Sequence, residues 1–453
     1  MVEAPSAGAA PEGRRRGPLR ALGLMGLRAL YDLAWLTLIL LGSPWWVGRS
    51  LVSRPFRQMV TERLCLRLPR LGPPPRGGRV MVHGVSVGEV KASKSLVEAL
   101  RPHHEVIVSA STDSGLLVAR ELYPDLTVVR FPLDFRPVVS RFLRRLRPTA
   151  VVLLELEIWP LFVRSAAQAG VPTAIVSGRI TPSSFANYRR FGPTLTQFSA
   201  VRLFAAQTRT YAERFLALGA PAERIQVTGN VKVDGLDAAA REPGTRAMAL
   251  ATELGIDGTR PVLVAGSTHG PEEVTASLAF RAAAPDARVV LVPRHPPRVP
   301  EVVEGLRAEG LEPQLLTDLR AGTPVDPARP CIVDTIGELE RLYSLASLAF
   351  VGGTLIDHGG QNVLEPAARG LAVLHGRDVA NFRQEAALLE QAGASRVVED
   401  GPSLERAVRE LLADPERMRA MGEAGRKAVA GQRGATQRTV EALYAHGILS
   451  QGA

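Results

Sequence analysis

Residues 79–89 read Arg79-Val80-Met81-Val82-His83-Gly84-Val85-Ser86-Val87-Gly88-Glu89. The short apolar run Val80–His83 ends at a glycine, and a serine-bearing turn then leads to an acid. That order is the mark of a buried strand turning into a helix. A second apolar run passes directly into acids in Ala150-Val151-Val152-Leu153-Leu154-Glu155-Leu156-Glu157-Ile158-Trp159-Pro160. Ligands of open α/β sheets bind at the carboxyl ends of strands. A carboxylate placed there, such as Glu89 or Glu155, is a candidate general base. A helix-start Glu is also favoured by the backbone dipoles alone, so one such turn reads equally well both ways. Two of them, with basic and glycine-rich loops downstream, point to an active site.

Outward from these turns, apolar runs alternate with helical patterns. Val80–His83, Glu105–Ala110, Leu126–Phe131, Ala150–Leu154, Thr173–Ser177, Leu203–Ala206 and Ile225–Thr228 read as one series of short buried strands. A second series runs through Pro261–Ala265, Arg288–Val292, Cys331–Val333, Leu348–Val351 and Ala372–Leu374. Strands alternating with helices predict parallel sheets built from βα units. A length of 453 residues exceeds one ordinary core. The polar stretch Asp234–Arg260 between the series holds the expected boundary. The organisation expected is a basic tail at 1–20, a membrane-associated helix at 21–50, one α/β domain at 51–235 and a second at 236–453. Two such domains facing each other place the site in the cleft between them. Leu404 to Tyr444 reads as helical throughout.

The composition is globular, 46% hydrophobic and 22% charged, with a formal charge of +10. That balance suits an anionic membrane surface, a phosphorylated substrate or nucleic acid. Nucleic acid fits worst, because no zinc-ligand spacing, aromatic RNA-binding stripe or long Lys-rich tail is present. Cys65 and Cys331 form no motif, which implies a reducing compartment or indifference to redox. Arg14-Arg15-Arg16 and Arg20 precede an apolar stretch that Arg28 and Asp32 interrupt, and Trp45-Trp46 close it. Its charge-free part, Leu33 to Val47, covers ~15 residues against the ~20 that a span needs. Basic flanks and the Trp pair favour a membrane anchor or interfacial helix. The alternatives are a secretory signal, for which no cleavage site follows, and a helix packed on the protein. Pro69 to Gly78 separates this region from the first strand.

The second half carries the loops suited to a nucleotide. Ser267-Thr268-His269-Gly270 follows a strand, and its hydroxyls and open amides suit a phosphate as well as they suit a plain helix cap. Val292-Pro293-Arg294-His295-Pro296 ends another strand, and Arg294 offers a planar fork for phosphate or carboxylate. Asp334-Thr335-Ile336-Gly337-Glu338 is a strand-to-helix turn. Val351-Gly352-Gly353-Thr354 and Gly359-Gly360-Gln361-Asn362-Val363-Leu364-Glu365-Pro366 follow, with glycines that let backbone approach a ligand. Asn362 reads as the N-cap of the next helix, with Glu365 one turn in, within reach of ribose hydroxyls. Neither a P-loop lysine pattern nor a GxGxxG fingerprint is present, so neither an ATPase nor a dinucleotide enzyme is indicated.

Together the motifs HGVSVGE, LDFRPVVSRFLRRLRP, ELEIWP, VTGNVKVD, AGSTHGPEE, LVPRHP, DTIGEL, FVGGT and GGQNVLEPAA resemble those of the 3-deoxy-D-manno-octulosonic acid (Kdo) transferases, from about Val80 to Glu390. The resemblance implies a GT-B fold, two Rossmann-like domains facing a cleft, with the donor bound mainly by the second. It implies transfer of Kdo from CMP-Kdo to the lipid A precursor of lipopolysaccharide, at the cytoplasmic face of the inner membrane. It implies Glu89 as catalytic base, with Glu155 and Lys232 stabilising the transition state. Pro293 and Arg294, then Ile336, Gly337 and Glu338, then Asn362, Val363, Leu364 and Glu365 match the segments that hold CMP; Ser267 and Thr268 join them on the reading of their own loop. No cofactor is implied, CMP-Kdo being the donor substrate, and the absence of an Asp-x-Asp motif fits metal-independent chemistry. The family usually reads GGHNPLE, whereas this chain has Gln361 and Val363 in place of the His and Pro. Gln keeps hydrogen-bonding capacity but carries no charge, so donor affinity or its pH dependence is expected to differ. Two other readings remain: a GT-B nucleotide-sugar 2-epimerase using a UDP-sugar, and a tethered binding protein that kept the fold.

Overall fold

The computed structural model describes Thr37 and residues 41–191, 196–236 and 244–450. Val80–His83 lies within β1 (Arg79–Gly84), the strand from which the first sheet winds both ways. β2 (Glu105–Ala110), β3 (Thr127–Arg130), β4 (Ala150–Leu154), β5 (Thr173–Gly178), β6 (Leu203–Ala206) and β7 (Ile225–Val227) complete a seven-stranded sheet in the order 3-2-1-4-5-6-7. β1 pairs in parallel with both neighbours, Val80 lying opposite Val106 on one side and Ala150 on the other. The second sheet holds β8 (Val262–Thr268), β9 (Arg288–Pro293), β10 (Gln314–Leu315), β11 (Cys331–Ile332), β12 (Leu348–Val351), β13 (Ala372–His375) and β14 (Ser395–Val397). Its order is 10-11-9-8-12-13-14, a similar winding with β8 in the place of β1 and β12 in the place of β4, but with β11 inserted between β9 and the edge strand β10. In each sheet the order reverses beside the central strand, which makes the carboxyl end of that strand the natural ligand crevice.

The strands read as unbroken apolar runs because both faces of each sheet are covered. Met81, Ile107, Val151, Leu153, Ile175 and Phe204 enter one core. Their sequence neighbours Val80, Val82, Val106, Val152, Leu154, Ala174 and Leu203 enter the core on the opposite face. The second sheet divides likewise, with Leu263, Ala265, Leu291 and Phe350 on one side and Val262, Val264, Val290 and Ala349 on the other. Cys65 and Cys331 are free and buried in these cores. Burial pushes both thiols up to about 12, which makes them packing residues rather than nucleophiles.

The described residues form two compact units, one from those up to 228 with 439–450, the other from those within 229–438. The tail therefore departs from the expected division at 235/236, which gave everything after 236 to the second domain. Ala442, Leu443, Ile448 and Leu449 pack into a core of the first sheet. His104 Nε2 meets the Tyr444 hydroxyl at 2.8 Å, and Arg202 Nε donates to the His446 carbonyl at 3.0 Å. The stretch expected to be helical throughout is three helices, Gly401–Ala413, Pro415–Ala430 and Ala435–Ala445. Asp414 ends the first and caps the second, accepting from Arg417 N at 3.0 Å.

The tail 1–20 and residues 21–36 and 38–40 of the expected membrane-associated helix lie outside the described residues. Residues 41–52 are helical, and Leu41, Trp45, Val47, Leu51 and Val52 on that helix are exposed. A second helix, Arg54–Arg63, follows at a corner capped by Ser53. Among the described residues no helix is long and apolar enough to cross a membrane.

Candidate active site

Both acidic turns stand at carboxyl ends of strands in the first unit. Glu89 sits in the first turn of the helix Val87–Ala92, half-buried. Its Oε2 accepts from Val85 N at 2.5 Å and its Oε1 from Ser86 Oγ at 3.4 Å. Gly84 lies close beneath it, and a Cβ there would stand 3.0 Å from the Cβ of Glu89, a tight approach that would press on this turn. Glu155 follows β4 directly in the left-handed region, φ 57°, an uncommon conformation for a residue with a side chain and one found at functional turns. Its amide is held by the Val176 carbonyl at 3.0 Å. Glu157 follows in the same turn. Burial raises its carboxyl pKa, a 2.8 Å hydrogen bond from Trp159 Nε1 works against the rise, and the charge of Glu155 adds to it. The next helix, Pro160–Gln168, is fixed from the turn after β3: buried Asp134 accepts from Leu161 N at 3.1 Å and Phe162 N at 2.7 Å.

His83 in β1 is no candidate base. It is fully buried, stacks on Phe131 at 4.0 Å and shares its Nδ1 with Ser109 Oγ at 2.7 Å. Burial pushes its pKa down to about 3.

Lys232 belongs to the second unit, not the first as expected. Its short helix, Val231–Asp234, buries Val233 in the second unit's core. The helix is tied down by Asp234, which accepts from Gly434 N at 2.8 Å and Thr436 N at 2.5 Å. Asn230 Oδ1 caps it, accepting from Lys232 N at 3.0 Å.

The candidate donor residues gather at the carboxyl edge of the second sheet. Ser267 stands at φ 55° near the end of β8, and Thr268 is buried with no hydrogen-bond partner for its Oγ1. Pro293 closes β9, and exposed Arg294 is anchored through its amide to the Thr268 carbonyl at 2.9 Å. Ile336 and Gly337 are exposed, Gly337 at φ 97°. Glu338 faces inward. Burial alone would raise its pKa, but hydrogen bonds from Arg320 (2.9 Å) and Arg341 (2.6 Å) outweigh that and hold it below the usual range. Its carboxylate is committed to the turn, so Ile336 and Gly337 are what this loop presents outward.

Val363 and Leu364 are buried core residues. Only their backbone is left for a ligand. Val363, not Asn362, occupies the N-cap of the helix Leu364–Ala368. Asn362 still supplies the capping oxygen, accepting from Leu364 N at 3.1 Å while its Nδ2 donates to Glu365 Oε1 at 3.0 Å.

Two features of this edge were not singled out in the sequence. Glu272, 1% exposed, accepts from His269 N (2.9 Å), Gly353 N (2.6 Å), Thr354 N (2.9 Å) and Leu355 N (2.9 Å). It buckles the turn after β8 to the turn after β12. The approach is close enough that a Cβ on Gly352 would lie 2.5 Å from Thr268 Cα. The second feature is a group of imidazoles. His269 lies 3.8 Å from His358 and 5.5 Å from His295, ring to ring, and Gln361 Nε2 meets its Nε2 at 3.3 Å. Burial, then His358, His295, Arg298 and Arg294, push His269 down to about 4.

The family model described as 3-Deoxy-D-manno-octulosonic-acid transferase (kdotransferase) matches residues 58–235. A 3-deoxy-D-manno-octulosonic acid transferase of Haemophilus influenzae is 32% identical over 405 residues, 87% of this chain and 92% of the relative. One from Bordetella pertussis is 32% identical over 438 residues, 94% and 98% of the two chains. The chain belongs to the Kdo transferases. It is thus a glycosyltransferase. In fold, the UDP-GlcNAc 2-epimerase of Neisseria meningitidis is similar, with a TM-score of 0.58 over 81% of this chain and 100% of that one at 15% identity. That likeness shows a shared architecture of two α/β units.

Proposed function

We propose that the chain transfers Kdo from CMP-Kdo to the lipid A precursor, the tetraacyldisaccharide 4'-phosphate, with inversion and without metal or organic cofactor. The observation that carries the reading is the placing of Glu89 at the carboxyl end of the central strand, in a chain that matches Kdo transferases along most of its length. The Glu89 carboxylate takes the proton of the acceptor hydroxyl as that oxygen attacks the ketosidic carbon. The bond from that carbon to the CMP phosphate oxygen breaks, and CMP leaves with the electron pair. Positive groups beside the leaving phosphate lower the barrier; Arg294 and Lys232 are assigned that work, and Glu155 the support of charge building on the sugar. Ser267, Thr268, Pro293 and the backbone from Ile336 to Glu338 and Asn362 to Glu365 form the CMP cradle.

Work on a phosphoglycolipid calls for a place at the cytoplasmic leaflet of the inner membrane. The exposed apolar residues of helix 41–52 support an interfacial contact there, with Arg49 lying 6.0 Å from the Trp45 ring. The test is incubation of the purified protein with CMP-Kdo and lipid A precursor, with products resolved by mass. Product one or more Kdo units heavier supports the reading. Loss of acceptor specificity, or binding of UDP in preference to CMP, overturns it.

A further inference from the structure

The helix Arg136–Leu146 buries Val138, Val139, Phe142, Leu143 and Leu146 against the first sheet. Burying that stripe turns Arg141 and Arg144 outward, and both are exposed. Arg147 follows in the left-handed region, φ 50°, its amide closing on the Leu143 carbonyl at 2.8 Å. The segment leading into β1 is strapped across this helix end. Leu71 N donates to the Arg145 carbonyl at 2.9 Å, and Arg145 Nη1 donates to the Leu68 carbonyl at 2.7 Å. The strap brings Arg70 opposite the others. The result is an open groove of about 530 Å³ lined by Arg70, Arg141, Arg144, Arg145 and Arg147.

Five guanidiniums share this groove, and among the described residues no carboxylate pairs with any of them. Other arginines of the same unit are paired, Arg79 with Glu105, Arg101 with Asp125 and Arg130 with Glu62 and Asp113, or, like Arg63, Arg202 and Arg224, donate to backbone carbonyls, but they do not stand five together. The helix carboxyl end offsets only about half a charge. A cluster of like charges held in place by backbone bonds, and left unneutralised, is complementary to an anion carrying more than one negative group. The groove is not part of the transfer site. Arg147 precedes β4 and Arg70 precedes β1, whereas Glu155 and Glu89 follow those strands, so the length of a strand, roughly 16 Å at ~3.3 Å per residue, lies between them.

We propose that this groove is a second anion site that binds clustered phosphates, and that its occupant is the headgroup layer of an anionic bilayer. Guanidinium forks match phosphate oxygens in pairs. The groove lies open to solvent, and exposed Leu66 (51%) and Arg67 on its strap fit an extended surface rather than an enclosed small ligand.

The test uses the full chain and an Arg144→Gln/Arg147→Gln double variant, with Arg101→Gln/Arg209→Gln as a control of equal charge change on the same unit. All four positions are exposed. Cosedimentation is compared between vesicles of mixed phosphatidylglycerol and phosphatidylcholine and vesicles of phosphatidylcholine alone. The wild type should prefer the anionic vesicles, and the groove variant should lose that preference by roughly ten- to thirty-fold, with the control within about twofold of wild type. Turnover on detergent-dispersed acceptor should be unchanged in the groove variant. Equal losses in both double variants would reduce the effect to net charge and overturn the site. So would a groove variant that sediments like the wild type. If micromolar pyrophosphate stabilises the wild type and not the groove variant, while vesicle preference is untouched, the occupant is a soluble phosphate and the bilayer assignment falls. A loss of turnover in detergent would place the groove in the transfer site and overturn its independence.

Discussion

The turn after β1 and the turn after β8 hold the same place in the two sheets, each at the central strand, and each carries a glutamate that accepts the first amide of its own turn. Glu89 takes Val85 N and Glu272 takes His269 N. From there they diverge. Glu89 is half-buried and stands at the surface of its edge, with a serine hydroxyl near its other oxygen. Glu272 is sealed and spends its remaining acceptor capacity on three amides of the turn after β12. One carboxylate keeps to its own turn, where the proposed function makes it the base, while the other ties two turns together as a buckle. The first unit has its own buckle, Asp134, but it rises from the turn after β3 and leaves the central turn open. The same residue type in the same topological position thus stays within its own turn or bridges to a second one according to what the neighbouring turn offers it.

The largest expected effect separates these two roles. Glu89→Gln keeps the shape and an acceptor oxygen but takes no proton, so turnover should fall ~10²–10⁴-fold while CMP binding stays within about twofold and thermal stability barely changes. Near-normal turnover would remove Glu89 from the mechanism. Glu272→Gln should behave in the opposite way. It sets an NH₂ group against amides that all donate, leaving buried donors unsatisfied at a cost of about 3 kcal/mol. The melting temperature should drop, and CMP affinity should drop with it as the turns after β8 and β12 part. A variant with wild-type melting and wild-type CMP affinity would show that the buckle is ornamental.

Arg294→Ala tests the ligand that the buckled edge is shaped for. A charge-assisted hydrogen bond to phosphate contributes ~1.5–3 kcal/mol, so the CMP dissociation constant should rise roughly ten- to a hundred-fold by calorimetry. The guanidinium is exposed and its backbone is already fixed by Thr268, so stability should hold. An unchanged dissociation constant would place Arg294 outside the cradle.

Much of this was legible in the chain, for a physical reason. Strands buried on both faces leave contiguous apolar runs, and the runs at 80–83, 150–154, 262–265 and 348–351 mark the centres of both sheets. What escaped was what depends on distant partners. β10 and β14 are edge strands of two and three residues, Gln314–Leu315 and Ser395–Val397, too short and polar to carry a period. Glu272 was visible as an acid at a helix start, but three of its four donors are 81 to 83 residues away. The arginines of LDFRPVVSRFLRRLRP were visible too, but their groove needs Arg70 brought in by the strap before β1. The tail's return to the first unit rests on contacts such as His104 with Tyr444, 340 residues apart. Acids and glycines at strand ends show in the local sequence, whereas the distant partners that organise their turns do not.

The smallest expected effect concerns Gln361, where this chain has Gln and its family usually His. The Gln361 amide faces His269 Nε2 at 3.3 Å, and His358, His295, Arg298 and Arg294 surround the same imidazole. Arg298 is in turn held by Glu273 and Glu301, so its charge is largely answered within the turn. With its pKa pushed down to about 4, His269 stays neutral through the physiological range. A folded pKa below the unfolded one means that the unfolded state binds the extra proton first. His269 therefore subtracts stability as pH falls from about 6.5 toward 4, and contributes no change above that window. CMP affinity should accordingly show no His269 titration between pH 6.5 and 8. Gln361→His puts a second titrating ring beside it. Below that ring's pKa the edge gains a positive charge facing the phosphate, and above it the charge is gone. CMP binding by the variant should therefore tighten a few-fold as pH is lowered from 8 to about 6, a range where an unperturbed imidazole changes charge, while the wild type changes less over the same range. Calorimetry at several pH values, run in two buffers of different ionisation enthalpy, reads both the affinity and the proton taken up. Parallel profiles for the two proteins would mean that the Gln361 amide does not set the protonation of this edge, and that the substitution of His by Gln has no bearing on how the donor is held.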